Sequence, residues 1–523
     1  MKIRTANHSN FHLSKKAFST APQAGEAKKR TLGINALHFS RKARFIAAAV
    51  IIVIIIVSIF AVLQNINPND SDNIEPQRTN DPTATPSPTN SPGATTRPGT
   101  QPATTHSGPW LPGPEYTSPP GPAGIIEKSG GQMNSSVWKG VAQQAWAYFQ
   151  SGVGVDPNTG LPGSVSGYPY FTDWDLGVYI QAIIDAQALN LITKDGDWQA
   201  DYRLAKVLYF LDTRPLNKTT GYPFWFYQAG DGQNYPPQSD LATQTVDTVD
   251  AGRLFIALNN LRGYTPGPNW SIYSNSSKSV VDRINNIVLH GRSNYAALVP
   301  GIKNVEEHSN SIYAYYYTSG FAAFWPTEMG NVPSQILQNL LNSPNITVNT
   351  GGKITLPNAE MTCEPLIHAA LELNLSPSDR AKLLNFTKQV YLAHEERYSL
   401  TGIWGAFSEG NSGTSTFIYE WVVLPGVGSW KVTSIDRRVA EPYNSSPIIY
   451  SKVALSFLAL YNTSYAYGLS VYLEKCLPLP TIGWSDGADF TNALEERNII
   501  SSVGSNTNGM ILSSARYFIQ NNP

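Results

Sequence analysis

Beyond residue 125 the chain alternates between stretches in which apolar side chains recur every three or four residues and loops of polar, glycine and proline residues. That spacing predicts helices that bury one face. The clearest stretch is FTDWDLGVYIQAIIDAQA, residues 171–188, where Leu176, Tyr179, Ile180, Ile183 and Ile184 share a face and Asp173 and Asp175 stand at the start. The phrase returns about one helical hairpin later: Asp175-Leu-Gly177-Val-Tyr-Ile180-Gln-Ala182-Ile183 aligns with Asp250-Ala-Gly252-Arg-Leu-Phe255-Ile-Ala257-Leu258. Such a repeat predicts two matching helices in two matching hairpins. Its aspartates either cap their helices, meeting free N–H groups and the positive end of the dipole, or point together into one cleft as a ring of acids.

The same periodicity predicts helices over 137–150, 174–189, 198–211, 246–261, 277–289, 309–324, 334–341, 362–373, 377–398, 448–461, 465–473 and 508–520. Ser376-Pro377-Ser378-Asp379 is a start signal, with a capping Ser, Pro at the first helical position and an acid three residues after the cap. So many helices in one domain, 125–523, predict an all-α fold of helical hairpins closed into a ring. Aromatic segments 221–228 (GYPFWFYQ), 402–407 and 416–423 interrupt them and predict short strands or long loops on the active face.

The first 124 residues carry a different pattern. Residues 1–44 hold Lys2, Arg4, Lys15, Lys16, Lys28, Lys29, Arg30, Arg41, Lys42 and Arg44 against the single acid Glu26. Residues 45–63, FIAAAVIIVIIIVSIFAVL, are uncharged and long enough to cross a bilayer as a helix. They lack the short apolar core and small-x-small cleavage site of a secretory signal, which predicts an uncleaved single-pass anchor. Basic residues before the run and none after it until Arg78 predict a cytoplasmic N-terminus and an extracellular C-terminal domain at the plasma membrane. Orientation and anionic lipid account for the basic tail, so no nucleic-acid partner is expected. Residues 64–124, rich in Pro, Thr and Ser, cannot bury enough apolar surface to fold and predict a disordered linker. N-x-Ser/Thr triplets, such as those at Asn134 and Asn217, agree with an external domain.

Cofactor chemistry has no footing in the pattern. His290, His308, His368 and His394 are scattered, no HExxH or CxxC occurs, and Gly152-Val-Gly154 and Gly426-Val-Gly428 lack the remainder of a phosphate loop. Neither metal nor cofactor is expected. Cys363 and Cys476 either pair, as an external location permits, or fill the core as small apolar residues.

The blocks TGL (159–161), TDWDLGVYIQAIIDAQALNLI (172–192), DTVDAGRLFIAL (247–258), TCEP (362–365), TG…FSEG (401–410), GW (483–484) and SNTNGMILSSARYF (505–518) together resemble domain-of-unknown-function family 3131. That family is similar to the glucoamylase-like and beta-1,2-glucanase families, which implies a six-hairpin α/α toroid over 125–523 and hydrolysis of a glycosidic bond. Such hydrolysis needs one carboxylic acid to protonate the leaving oxygen and a second carboxylate on the other side of the sugar. Asp247 and Asp250, three residues apart, lie on one helix face, so at most one reacts while the other tunes it or binds a hydroxyl. The partner must come from elsewhere.

Glu409, in the aromatic and glycine-rich loop GIWGAFSEGNSG, is expected to be the acid, because apolar surroundings raise a carboxyl pKa. Asp250 or Asp175 is then the base. Trp174, Trp225, Trp404 and Trp484 are candidate platforms for sugar rings or else core aromatics. Asp173, Asp247 and Arg253 are candidate contacts to substrate hydroxyls, with Arg253 as an ion-pair partner of Asp250 the alternative. Glu364, before Pro365 at a helix start, is a further contact or a cap, and Glu328, Glu420, Asp486 and Asp489 are weaker candidate acids. The expected partner is a polysaccharide or oligosaccharide. Two rivals remain: a surface module that binds glycan without cleaving it, and a polysaccharide lyase using Tyr or His as base, by fold analogy.

Overall fold

The helices begin where local chemistry starts them. In the computed structural model, Thr172 opens the first repeat helix, α2 (Asp173–Ala188), with a capping box: its Oγ1 accepts the Trp174 N–H at 3.1 Å, and its own N–H donates to Asp175 Oδ2 at 3.1 Å. Asp247 opens the second, α4 (Thr248–Leu261), accepting the Val249 N–H at 2.7 Å. Ser376 and Pro377 open α9 (Pro377–Thr401), which stops at Gly402 with φ 70°. The others longer than eight residues are α1 (Ser135–Trp146), α3 (Ala200–Thr213), α5 (Val280–Val288), α6 (Ile312–Phe324), α7 (Val332–Asn342), α8 (Cys363–Glu372), α10 (Ser451–Tyr461), α11 (Ser464–Cys476) and α12 (Ser505–Asn521). Each predicted helix has its counterpart.

The structure describes residues 124–235, 244–411, 417–434, 447–477, 482–489, 499–500 and 502–522. The basic tail, the apolar run 45–63 and nearly all of the linker, to residue 123, lie outside them. Among the described residues no helix is long and apolar enough to cross a membrane.

Packing closes a ring. α2 packs on α4, α4 on α6, α6 on α8, α8 on α10, α10 on α12, and α12 back on α2. Outside it lie α3 on α2, α7 on α6, α9 on α8, α11 on α10 and α1 on α12, with α5 against α3 and α4. The inner helices are buried nearly all round, as helices enclosed by others must be. The repeated glycines are where their backbones meet. A Cβ on Gly177 would lie 3.0 Å from the Arg253 carbonyl of α4, and one on Gly252 would lie 2.5 Å from the Tyr317 carbonyl of α6. Glycine is required by contact rather than by backbone angle.

Short antiparallel sheets decorate the ring: β1 (Tyr170–Phe171) with β2 (Tyr227–Gln228), β3 (Asn345–Thr347) with β4 (Thr355–Pro357), β5 (Glu409–Asn411) with β6 (Phe417–Leu424) and β7 (Gly428–Ser434), and β8 (Ile448–Tyr450) with β9 (Gly487–Asp489) and β10 (Ile499–Ile500). The described part of segment 416–423 lies in β6, and 221–228 ends in β2. Segment 402–407 forms only a bridge from Ala406 to Ile449. The cysteines are free and buried, Cys363 beside His394 with Sγ 3.8 Å from Nε2, so the small-apolar reading holds and no disulfide forms.

Candidate functional site

Five of the six inner helices start on a cavity of about 170 Å³, and the sixth, α8, starts just behind it, where its Glu364 meets Lys452 and Asn506. Thr172, Trp174 and Asp175 reach it from α2, Val249 and Asp250 from α4, Tyr313 from α6, Lys452 from α10, and Asn506 and Thr507 from α12. Trp225 and Phe226 before α4, Glu409 on β5, Tyr419 on β6, Tyr450 and Asp486 complete its wall. Converging helix N-termini give the cavity a positive rim, which its carboxylates offset.

The repeated aspartates face this one cleft, and neither is an N-cap. Asp175 is the third residue of its helix; besides the Thr172 N–H it accepts the Ser505 hydroxyl at 2.8 Å on Oδ1. Asp250 accepts the Trp225 indole N–H at 3.1 Å. Part of its side chain opens into the cavity, yet burial first, then the charges of Asp247 and Asp175, push its carboxyl well above the ordinary range. Hydrogen bonds from Thr172 and Trp225 pull the other way and are outweighed. Glu409 accepts the Tyr313 hydroxyl at 2.7 Å.

Behind the wall lies a buried charge network. Glu364 is fully buried; its carboxylate is ion-paired with Lys452, accepts the Asn506 amide, and accepts the Ser408 hydroxyl at 3.0 Å. Burial alone would push Glu364 up, but the charges of Lys452 and His368 and these hydrogen bonds leave it below the usual carboxylate range. Lys452 Nζ also donates to the Glu409 carbonyl at 2.9 Å, tying β5 to the ring. Asn506 Oδ1 lies 3.3 Å from His368 Nε2, and His368 Nδ1 lies 2.9 Å from Glu372 Oε1.

Several expected contacts are corrected. Asp173 turns away from the cleft and is consumed by Arg214, at 2.6 Å, and by the Tyr295 hydroxyl. Arg253 pairs at 3.0 Å with Glu372, not with Asp250. Asp247 caps α4 and acts on Asp250 through its charge. Trp404 stacks on Tyr398 at 3.8 Å, and Trp484 donates its indole N–H to the Val141 carbonyl at 3.1 Å; both are core aromatics. Glu364 neither caps nor lines the wall but supports it from behind. Among the weaker acids, Asp486 lines the cavity, holding the Ser502 and Thr507 hydroxyls at 2.6 Å each. Glu420 is buried on β6, accepting the Ser408 N–H at 3.2 Å, and Glu328 is exposed on the short helix Pro326–Met329. Asp489 closes β9.

Sequence reasoning missed Lys452, Tyr313, Tyr450 and Ser505. Lys452 carried no signal inside a predicted helix; Ser505 and Asn506 stood in a quoted block without a role. Among the described residues no cluster of His, Cys, Asp and Glu could hold a metal ion.

A ring of paired helices with an acid-lined cavity at the inner N-termini is the α/α fold that glycosidases use. The chain belongs to the family described as protein of unknown function DUF3131, whose model matches residues 140–521. No curated protein matches it in sequence. A proposed glucoamylase from Bacteroides uniformis superposes with a TM-score of 0.51 at 14% identity, over 74% of this chain and 92% of that one. An endo-beta-1,2-glucanase from Chitinophaga pinensis, solved with sophorotriose and glucose, gives 0.49 at 12% identity, over 74% and 95%. At such identity the likeness is one of fold.

Proposed function

We propose that this protein hydrolyses glycosidic bonds of a polysaccharide, with Asp250 as the proton donor and Glu409 as the base that activates water. The observation that carries this reading is that Asp250 on α4 and Glu409 on β5 face one cavity. Burial first, then the charges of Asp247 and Asp175, push the Asp250 carboxyl up and favour its protonated form, while Glu409 faces the same space from a separate element. Carboxyl groups whose environments differ divide into acid and base. The assignment reverses the roles expected from the sequence, where the glycine-rich loop pointed to Glu409 as the acid. The reversal follows from the burial of Asp250 and then from Asp247 and Asp175 crowding it, which no loop composition displays. Asp175 and the tryptophans Trp174 and Trp225 hold the acid and the sugar in place.

A lyase would need a phenol or imidazole ready to take a proton. Burial, then the charges of neighbouring carboxylates, instead push the Tyr313 and Tyr450 phenols well up. The deciding experiment incubates the protein with a panel of neutral, amino and uronate polysaccharides, beta-1,2-glucan among them, and follows reducing ends and ultraviolet absorbance. New reducing ends without an unsaturated product are expected. Retention of a glycan with no cleavage would make this a binding module, and ultraviolet-absorbing product would make it a lyase.

The substrate lies outside the cell in this proposal, because the charge asymmetry around residues 45–63 supports an N-in anchor and residues 64–124 a linker. Protease added to intact cells is expected to remove the domain after residue 125. Protection in intact cells with loss in opened ones would invert the orientation.

A further inference from the structure

We infer that a strip of tyrosines, Tyr168, Tyr170 and Tyr235, is a sugar-binding subsite that carries the polymer out of the cavity. This rests on the glycosidase reading for the identity of its occupant. The cavity, about 170 Å³, is smaller than the roughly 300–1,000 Å³ of sites that enclose a drug-sized ligand. It holds the reacting sugar, and the rest of a polysaccharide lies beyond its rim.

The strip starts at the proton donor. Trp225, bonded to Asp250, packs against Phe226 with ring centroids 5.0 Å apart, and both line the cavity. Phe226 meets Tyr235 at 5.9 Å, Tyr235 meets Tyr170 at 4.3 Å, and Tyr170 meets Tyr168 at 4.9 Å. Trp225 and Phe226, with Tyr170 and Tyr235 against them, form an apolar cluster separate from the main core. The three tyrosines are only half-buried. Successive rings are tilted by about 60°, so they do not cover one another as a stack would. Ring faces with a phenol at the edge suit a sugar, whose C–H face packs on the aromatic while its hydroxyls find polar partners. A neutral or amine-bearing glycan fits better than a polyanion, because the carboxylates of Asp175 and Glu409 line the cavity and Lys452 is already paired with Glu364.

The test uses the full chain and Tyr168→Ala, the outermost ring of the strip, which unlike Tyr170 and Tyr235 does not pack on the Trp225–Phe226 cluster that supports the acid. Substrates are the panel polymer cleaved by the parent and its size-fractionated oligosaccharides, from disaccharide to decasaccharide. KM for the long substrates is expected to rise about tenfold, the loss of ring packing worth about 1.4 kcal/mol, with kcat and disaccharide cleavage unchanged. Equal effects on short and long substrates, or none on either, would overturn the subsite. A native gel cast with each panel polymer separates the two proposals. Retardation of the parent but not the variant, without cleavage, keeps the strip and removes the glycosidase reading; equal migration of the two on every polymer removes the strip.

Discussion

Asp250→Asn lowers turnover of the natural polymer by about 10²–10⁴-fold, the usual contribution of general acid catalysis, and does not destabilise the fold. Asn keeps the size of the side chain and can accept the Trp225 N–H, but it has no acidic proton. The cap of α4 survives, because Asp247 supplies it. The stability sign follows from linkage. The folded-state pKa of Asp250 lies above that of the unfolded chain, so the native state holds a proton over a window in which the unfolded chain has released it. Stability therefore falls as pH rises from the unfolded to the folded pKa. The amide does not titrate, and Asp250→Asn is expected to melt no lower than the parent at neutral pH. In the parent, activity is lost as pH rises through the Asp250 pKa, and that limb vanishes in the variant. A glycoside with a good leaving group, which needs little protonation, recovers much of the lost rate. Unchanged turnover on the natural polymer would return the acid role to Glu409.

The ring and the meeting of Asp175 and Asp250 were legible because both are written locally. Helical period shows in Leu176, Tyr179, Ile180 and Ile183, and the Asp-x-Gly repeat marks a helix start plus a place where backbones touch. Trp225 and Glu409 were reachable for the same reason, each standing in an aromatic loop beside a repeat or a family block. What stayed hidden is pairwise and long-range. Asp173 looks like a cleft acid beside Asp175, but two positions along a helix turn through about 200°, and it meets Arg214 and Tyr295 instead. Trp404 and Trp484 resemble Trp225 in local context. Only the position of Tyr398 and the Val141 carbonyl decides that they fill the core. Lys452 is a lone lysine in an apolar helix, and its meaning depends on Glu364, which sits 88 positions away.

That pair is expected to have the largest effect on stability. Lys452→Met leaves the Glu364 carboxylate buried without its cation, and breaking one side of a buried ion pair costs about 3–5 kcal/mol, read as a lower midpoint in urea. Lys452→Met/Glu364→Leu removes both charges and is expected to recover most of that loss, with the four-species cycle reporting the coupling. Acid sensitivity should fall in the double variant. Glu364 is held below the unfolded carboxylate pKa, so its contribution is present above that value and lost as pH falls through the folded pKa. Turnover behaves differently from stability. Lys452 Nζ also holds the carbonyl of Glu409 at 2.9 Å, and the restored fold still lacks that tie, so kcat stays low while KM for the polymer is close to that of the parent. Recovery of both stability and kcat would reduce the pair to a structural element. Recovery of stability alone makes Lys452 the positioning residue for the base.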